Sequence, residues 1–416
     1  MSQPSQSLEA WVPRSLVEIP AGSPLPQVNG DGLTPMTLRW SDGHLHAPEP
    51  LPEHASSPKT LVMPRLADPH VHLDKAFSWA DHPNRIGTYD GAMAANLREH
   101  QTRTHQAVLQ RGQRALEQAC SSGLRALRSH VDSLGDGAEC SWNALLELRD
   151  RWQNRIELQL VALLPLDYWS TSEGCQFARW VASVGGLLGG VPVSHRAGPR
   201  LRDQLRALIA LAEDLGCGID LHLDESDRDP AAGLVQLLAA LQDQSVSIPI
   251  TCSHLSSVGL LPVPDRQRLG ERMAGQGLCV VALPLTNAWL LARQPGVTPT
   301  TRPLAPIRCL QRSGVCVAVG CDNVADPWYP AGGFDPITLM AQSLPLAQLA
   351  PWQRLGLAPF TTAAAELMGL RWDGLLRKGA PADLMILEAS SWSEALMLPT
   401  NRSILIAGHS WTTPTR

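Results

Sequence analysis

The amino-acid sequence predicts an α/β protein, a (β/α)8 TIM-like barrel with a small β-sandwich domain built from both chain ends. Three observations carry that expectation. Short apolar, β-branched runs alternate with stretches of helical period, eight times in succession, through the middle of the chain. Both ends hold β-like pieces instead, in "MTLRW" and again in "ADLMILEA" and "RSILIAGHSW". No G-x-G-x-x-G or G-x-x-x-x-G-K-S/T turn stands at a strand-to-helix junction, so the phosphate-binding mark of an open nucleotide-binding sheet is missing.

Residues 1–30 are rich in Pro, Ser and Gly and lack a sustained period, which reads as an N-terminal tail or arm. Residues 31–60 together with 381–416 form the expected small β domain, and residues 61–380 the barrel. Its strands are expected in "TLVMP", "LRALRSH", "IELQLVALL", "GLLGGVPV", "GIDLHLD", "IPITCSH", "LCVVALP" and "VCVAVGCD". Between them lie helices such as "HQAVLQRGQRALEQACSSG", which ends on a glycine suited to the position after a helix, and "PRLRDQLRALIALAEDLGCG".

Composition narrows the function. A net charge of -5 and a pI near 6.2, without a cluster of Lys and Arg, argue against nucleic-acid binding. The start lacks the pattern of a secretory signal, and no apolar run approaches the ~18 residues that span a bilayer. Nine cysteines, an odd number without a C-x-x-C pair, read as small buried hydrophobes in a reducing compartment. A cytoplasmic protein acting on a small molecule is expected, with neither a nucleic-acid nor a membrane partner; a homo-oligomer is compatible with the sequence.

The chemistry lies at the strand ends. The first strand leads to His70 and His72, the second to His130 and Asp132, the fifth to His222, Asp224 and Glu225, the sixth to His254 and the eighth to Asp322. In a (β/α)8 barrel those ends open into one mouth, so residues far apart in sequence converge. Each has an ordinary alternative. An isolated H-x-H is more often a polar strand end than a ligand pair, and His130 alone is better read as a hydrogen-bonded wall residue. Asp224 or Ser226 could close the first turn of the helix holding "AAGLVQLLAALQ", and Asp322 could cap a loop. The conjunction outweighs these readings, because four separate strands would each have to end in an imidazole or carboxylate by chance. Histidines with an aspartate suit Zn2+ or Fe2+ in a catalytic site. The fourth-strand region "GLLGGVPV" has no lysine to bridge two ions, which favours one divalent metal ion, Fe2+ or Zn2+.

The stretches "PRLADPHVHLDKAF", "RSHVDS", "LHLDES", "ITCSHLSS" and "VCVAVGCDNVADPWYP" resemble, in order and rough spacing, the amidohydrolase superfamily, most closely its bacterial cytosine deaminases, from about Leu61 to the chain end. The resemblance implies that His70, His72, His222 and Asp322 hold the metal. It also implies that Glu225 shuttles a proton from the hydrolytic water to a ring nitrogen and then to the leaving ammonia. In that role Glu225 also satisfies a general requirement, since attack on an aromatic ring carbon needs the neighbouring nitrogen protonated. His254 and Asp322 are implied to orient or deprotonate the water, and Trp328 to flank the substrate ring. Two departures touch substrate reading. Leu166 stands where those deaminases carry a glutamine, with Asp167 and Tyr168 beside it as replacements, and Asn323 follows Asp322 where they carry a second aspartate.

The function expected is a metal-dependent hydrolytic deaminase of a small nitrogen heterocycle, with cytosine the leading substrate and related pyrimidines, purines or triazines behind it. A rival keeps the fold but cleaves a substituted amine or cyclic amide. A rival from another class is a non-catalytic scaffold of the same fold. A nucleic-acid editing deaminase is disfavoured, because its H-x-E and P-C-x-x-C zinc signature is absent.

Overall fold

The computed structural model describes residues 6–412 apart from 20, 21, 23–25, 53, 193–197, 243 and 398. Within them the chain forms two compact units. One is drawn from both chain ends, up to Ala67 and from Phe334 on, together with Glu117–Arg125; the other comprises Asp68–Leu116 and Ala126–Gly333.

The strands β1 (Gln6–Pro13), β2 (Leu33–Ser41), β3 (His44–Leu45), β4 (Glu49–Pro50) and β5 (Leu61–Pro64) share one sheet with Leu384–Leu387, Arg402–Ile406 and His409–Trp411 from the far end of the chain. The sheet is mixed, because β1 runs parallel to β5 and antiparallel to β2. Alternate residues of β2, including Met36, Leu38 and Trp40, are buried with Val12, Val62 and Leu384 in one apolar cluster, the period-2 burial of a sheet with one covered face. Gln6–Pro13, expected within a tail, is therefore a strand paired from Gln6 with Trp40 to Pro13 with Leu33. Its short alternation of Leu8, Ala10 and Val12 was hidden by the Pro- and Ser-rich flanks. Residues 1–5, 20, 21 and 23–25 of that tail lie outside the described residues.

A second eight-stranded sheet follows the chain in order: β6 (Leu66–Val71), β7 (Leu124–Asp132), β8 (Glu157–Leu163), β9 (Leu187–Gly190), β10 (Ile219–Leu223), β11 (Ile250–His254), β12 (Cys279–Ala282) and β13 (Cys316–Val319). Pairing from β7 through β13 is parallel. The sheet comes back on itself where Val71 bridges Asp322 in parallel and the Asp322 N–H donates to the His70 carbonyl at 2.9 Å. Asp68 reinforces the closure by accepting from the backbone N–H of His70 and of Cys321, each at 3.1 Å. Every residue of β6, β10 and β11 is buried, as expected of parallel strands covered on both faces.

One strand differs from its expected place. Leu61–Pro64, read as the first barrel strand, pairs with Leu384–Leu387 in the mixed sheet, and the barrel begins after Arg65. Asp68 and Pro69 are poor strand formers, and Pro69 brings no N–H to a ladder, so apolar pattern alone favours the neighbouring run.

Two helices follow β6: α1 (Tyr89–Thr102), capped by the Thr88 hydroxyl accepting from Gly91 N–H at 3.1 Å, and α2 (His105–Ser121). The α2 segment and Pro199–Leu215, which ends on Gly216 at φ 64°, fall where helical period places them. The sequence reading did not include α1, because its buried face carries Asn96, Glu99 and His100 among alanines.

Candidate active site

Strand alternation turns His70, inside β6, and His72, just beyond it, to the same side. The His70 ring stacks on His130 with centroids 3.8 Å apart and lies 4.7 Å from His222, 5.2 Å from His72 and 5.6 Å from His254. Asp322 Oδ1 sits 3.2 Å from His72 Nε2 and 3.5 Å from His70 Nε2. Donor atoms of His70, His72 and Asp322 lie within 4.8 Å of one another, as do those of His70, His222 and His254 and those of His70, His130 and Asp220. The structure thus brings the sequence-selected histidines and Asp322 together, and adds Asp220 behind them.

The backbone turns sharply to present these groups. Asp224, His254 and Asp322 adopt φ of 55°, 74° and 64°, a left-handed conformation that costs a non-glycine residue roughly 1–3 kcal/mol and clusters at functional sites. Asp224 has the structural role weighed for it: its carboxylate accepts from Gly233 N–H at 2.7 Å and Leu234 N–H at 2.8 Å, closing the first turn of Ala232–Ala240. Glu225, the next residue, lines the cavity with Oε1 3.5 Å from His254 Nδ1.

Burial holds the imidazoles neutral. It lowers His72 and His254 to about 3, and places His70, His130 and His222 well below the usual histidine value, with neighbouring imidazoles adding to the shift. Their lone pairs are therefore available. His70 Nε2, His72 Nδ1, His222 Nδ1, His254 Nε2 and both Asp322 oxygens are buried without a hydrogen-bond partner, an arrangement that is costly unless something else satisfies them. At His70 the orientation is fixed from behind. The Ser253 hydroxyl gives its proton to Asp220 Oδ1 at 2.8 Å, so it accepts from His70 Nδ1–H at 2.9 Å and leaves Nε2, 3.5 Å from Asp322 Oδ1, with its lone pair free. A second partner that sets the imidazole tautomer in this way typifies metal-ligating histidines. Neutral nitrogens, a carboxylate and unsatisfied buried atoms together fit a divalent cation.

A cavity of about 230 Å³ opens onto this cluster, with His72, His222, Glu225, His254 and Asp322 in its lining. Asn323 and Trp328 also line it; Asn323 Nδ2 donates to Asp326 at 2.8 Å, and the Trp328 ring meets Tyr89 edge-on at 5.0 Å. Leu166 and Asp167 do not. Leu166 is fully buried against Gly190, where any Cβ would collide with it, and Leu164 and Pro165 reach the cavity instead. The loop borders the cavity, but its short 3-10 turn from Leu166 to Ser170 directs Leu166 into the core.

The rest of the lining was not foreseen. From α1 come Tyr89, Met93, Asn96, Leu97 and His100, and from elsewhere Lys75, which reaches Asp132, a strand-end residue that the sequence did place at the mouth. Lys75 Nζ donates to Asp132 Oδ1 at 2.8 Å. Burial disfavours its ammonium, but Asp132, Asp74 and Asp326 outweigh that and raise its pKa. Arg103 donates to Asp74 Oδ2 at 2.7 Å and to Asp132 Oδ2 at 3.2 Å, and also pairs with Glu99. The signal for Lys75 was its rarity, as one of three lysines placed three residues after His72; Asn96 and His100 had none.

A closed parallel barrel whose rim gathers imidazoles and a carboxylate beside a cavity has the architecture of metal-dependent hydrolases. The chain belongs to the amidohydrolase family, whose sequence model matches residues 177–403. It is 32% identical over 348 residues to a pterin deaminase of Rhizobium rhizogenes (strain K84 / ATCC BAA-868), covering 83% of this chain and 79% of that one. It is 23% identical to an N-isopropylammelide isopropyl amidohydrolase of Pseudomonas sp. (strain ADP), covering 83% and 84%. The crystal structure of a 5-methylcytosine deaminase from Klebsiella pneumoniae liganded with phosphonocytosine has the same fold, with a TM-score of 0.82 at 22% identity over 97% of each chain.

Proposed function

We propose that this chain is a hydrolytic deaminase of an amino-substituted, oxo-bearing heterocycle of the pterin type, releasing ammonia. Cytosine, the leading candidate from sequence, gives way to a fused ring because the relative with 32% identity is a pterin deaminase. In this reading His70, His72, His222 and Asp322 hold one divalent ion, Fe2+ or Zn2+, which when bound lowers the pKa of water to around 7. Glu225 takes a proton from the attacking water, gives it to the ring nitrogen beside the attacked carbon, and delivers the second proton to the departing amine. One C–O bond forms, one C–N bond breaks, and ammonia leaves. His254, 3.5 Å from Glu225, orients the water, and Trp328 flanks the ring.

The observation that carries this reading is Glu225 itself. Its side chain is 11% exposed, and burial, with Asp322 nearby, pushes its pKa well above the usual carboxylate range while Lys75 opposes the shift. A carboxyl group so placed, lining the cavity with Oε1 3.5 Å from His254 Nδ1, suits a shuttle. A cytosolic setting accompanies the proposal, supported by nine cysteines that are all free thiols.

Metal-loaded protein should be offered 2-amino-4-oxopteridine, cytosine and an N-alkylated aminotriazine, with ammonia, alkylamine and bound metal measured. Ammonia from the pteridine, lost on chelation and restored by iron or zinc, is the expected result. Alkylamine from the triazine alone would move the assignment to substituted-amine cleavage, and a chain that retains no metal after reconstitution would mark a scaffold.

A further inference from the structure

Asp132 ends β7 with both carboxylate oxygens committed. Oδ1 accepts from Lys75 Nζ at 2.8 Å, and Oδ2 accepts from Asn96 Nδ2 at 3.2 Å and from Arg103 at 3.2 Å. The Asp132 backbone N–H is held in turn by Asp74 Oδ2 at 2.9 Å. Lys75 and Asn96 are 2% and 7% exposed, and both line the cavity.

Each has unused capacity there. The ammonium carries three donors, and among the described residues its hydrogen bond is the one to Asp132. The Asn96 amide is oriented by its nitrogen, which must face the Asp132 carboxylate, so its Oδ1 is an acceptor buried without a partner. Asp132 holds both cations, since Arg103, which also pairs with Asp74 and Glu99, reaches its other oxygen and leaves two of the three Lys75 donors without a hydrogen bond among the described residues. A fixed donor and a fixed acceptor thus share one anchor on the cavity wall.

We propose that Lys75 and Asn96, positioned by Asp132, read the cyclic-amide edge of the substrate, Lys75 donating to the ring carbonyl oxygen and Asn96 Oδ1 accepting from the adjacent ring N–H. The proposal rests on the deaminase reading for its substrate class, and it assigns specificity to side chains outside the strand-end cluster. A heterocycle without this edge would leave two buried polar groups unpaired, which is a strong basis for rejection.

The test compares 2-amino-4-oxopteridine with its 3-methyl derivative, in which the amide N–H is blocked. The wild-type enzyme should favour the unmethylated ring by about 10- to 100-fold in kcat/KM. Asn96→Ala should narrow that gap to within about threefold, and Lys75→Met should raise KM for both rings by about tenfold or more with metal content retained. A merely structural role would lower activity on both rings alike and leave the gap in place. Equal use of the two rings by the wild-type enzyme overturns the proposal without recourse to any variant, as does an undiminished gap in Asn96→Ala. Absence of ammonia from either ring would defeat the deaminase reading instead. The edge-reading pair would then be decided by calorimetry with 2,4-dioxopteridine and its 3-methyl derivative, where equal affinities overturn it.

Discussion

Two sets of side chains differ in how they are bonded: the imidazoles of β6, β10 and β11, whose ring nitrogens include several with no partner, and Asp74, Lys75, Glu99, Arg103 and Asp132, carboxylates and cations bonded to one another. Burial does not separate them, since His70, Glu99, Asp74 and Lys75 are all at or below 2% exposure. The difference lies in where compensation comes from. On the paired side the charges find their counter-charges within the chain, as buried charges must, whereas the imidazole side is left open and would be completed by the proposed cation. The first can hold shape by itself; the second depends on its ligand.

The largest effect expected is on the chemistry beside the open side. Glu225→Gln should leave metal content unchanged while turnover falls by a factor on the order of 10² to 10⁴; near-normal turnover in a metal-loaded assay would assign the proton shuttle elsewhere. The paired side should answer in stability instead. Arg103→Met strands Asp74 and leaves Glu99 to Arg111 and Asp132 to Lys75, and removing one partner from a buried pair costs about 3–5 kcal/mol, to be read from denaturant unfolding. A loss below about 1 kcal/mol would show that the network is not needed for folding.

Smaller changes sharpen the division. Ser253→Ala removes the acceptor for His70 Nδ1–H and should weaken metal affinity by about 10- to 100-fold, measured by competition with a chelator, while a supplemented enzyme keeps its rate. The smallest effect belongs to Asp224→Ala, which removes a helix cap worth about 1 kcal/mol and should lower the thermal midpoint by a few degrees. Unchanged stability there would mean that the backbone of Ala232–Ala240 closes its own first turn.

The same division governs what could be read from sequence. His70, His72, His222, Glu225, His254 and Asp322 were legible because each lies in a parallel strand or within three residues of its C-terminal end, where the barrel makes position equivalent to direction. Lys75 and Asn96 were not, because their role comes from a shared anchor that only packing reveals. In α1 a buried Asn96 and Glu99 look in sequence like the solvent face of an amphipathic helix. Leu166 failed by orientation: strand alternation predicts side-chain direction, but the turn after β8 breaks that alternation. The first barrel strand was displaced for a related reason, since Asp68 is used for closure rather than for apolar burial.

The three strained positions at the rim, Asp224, His254 and Asp322, carry a final consequence. A search for hardier variants would favour glycine at such sites, because it relaxes the main chain there. At His254 and Asp322 the same change deletes a group to which the proposed mechanism gives the water or the metal. Robustness and activity are therefore opposed at those two residues, and thermal selection without an assay would be expected to erode the enzyme from its mouth inward.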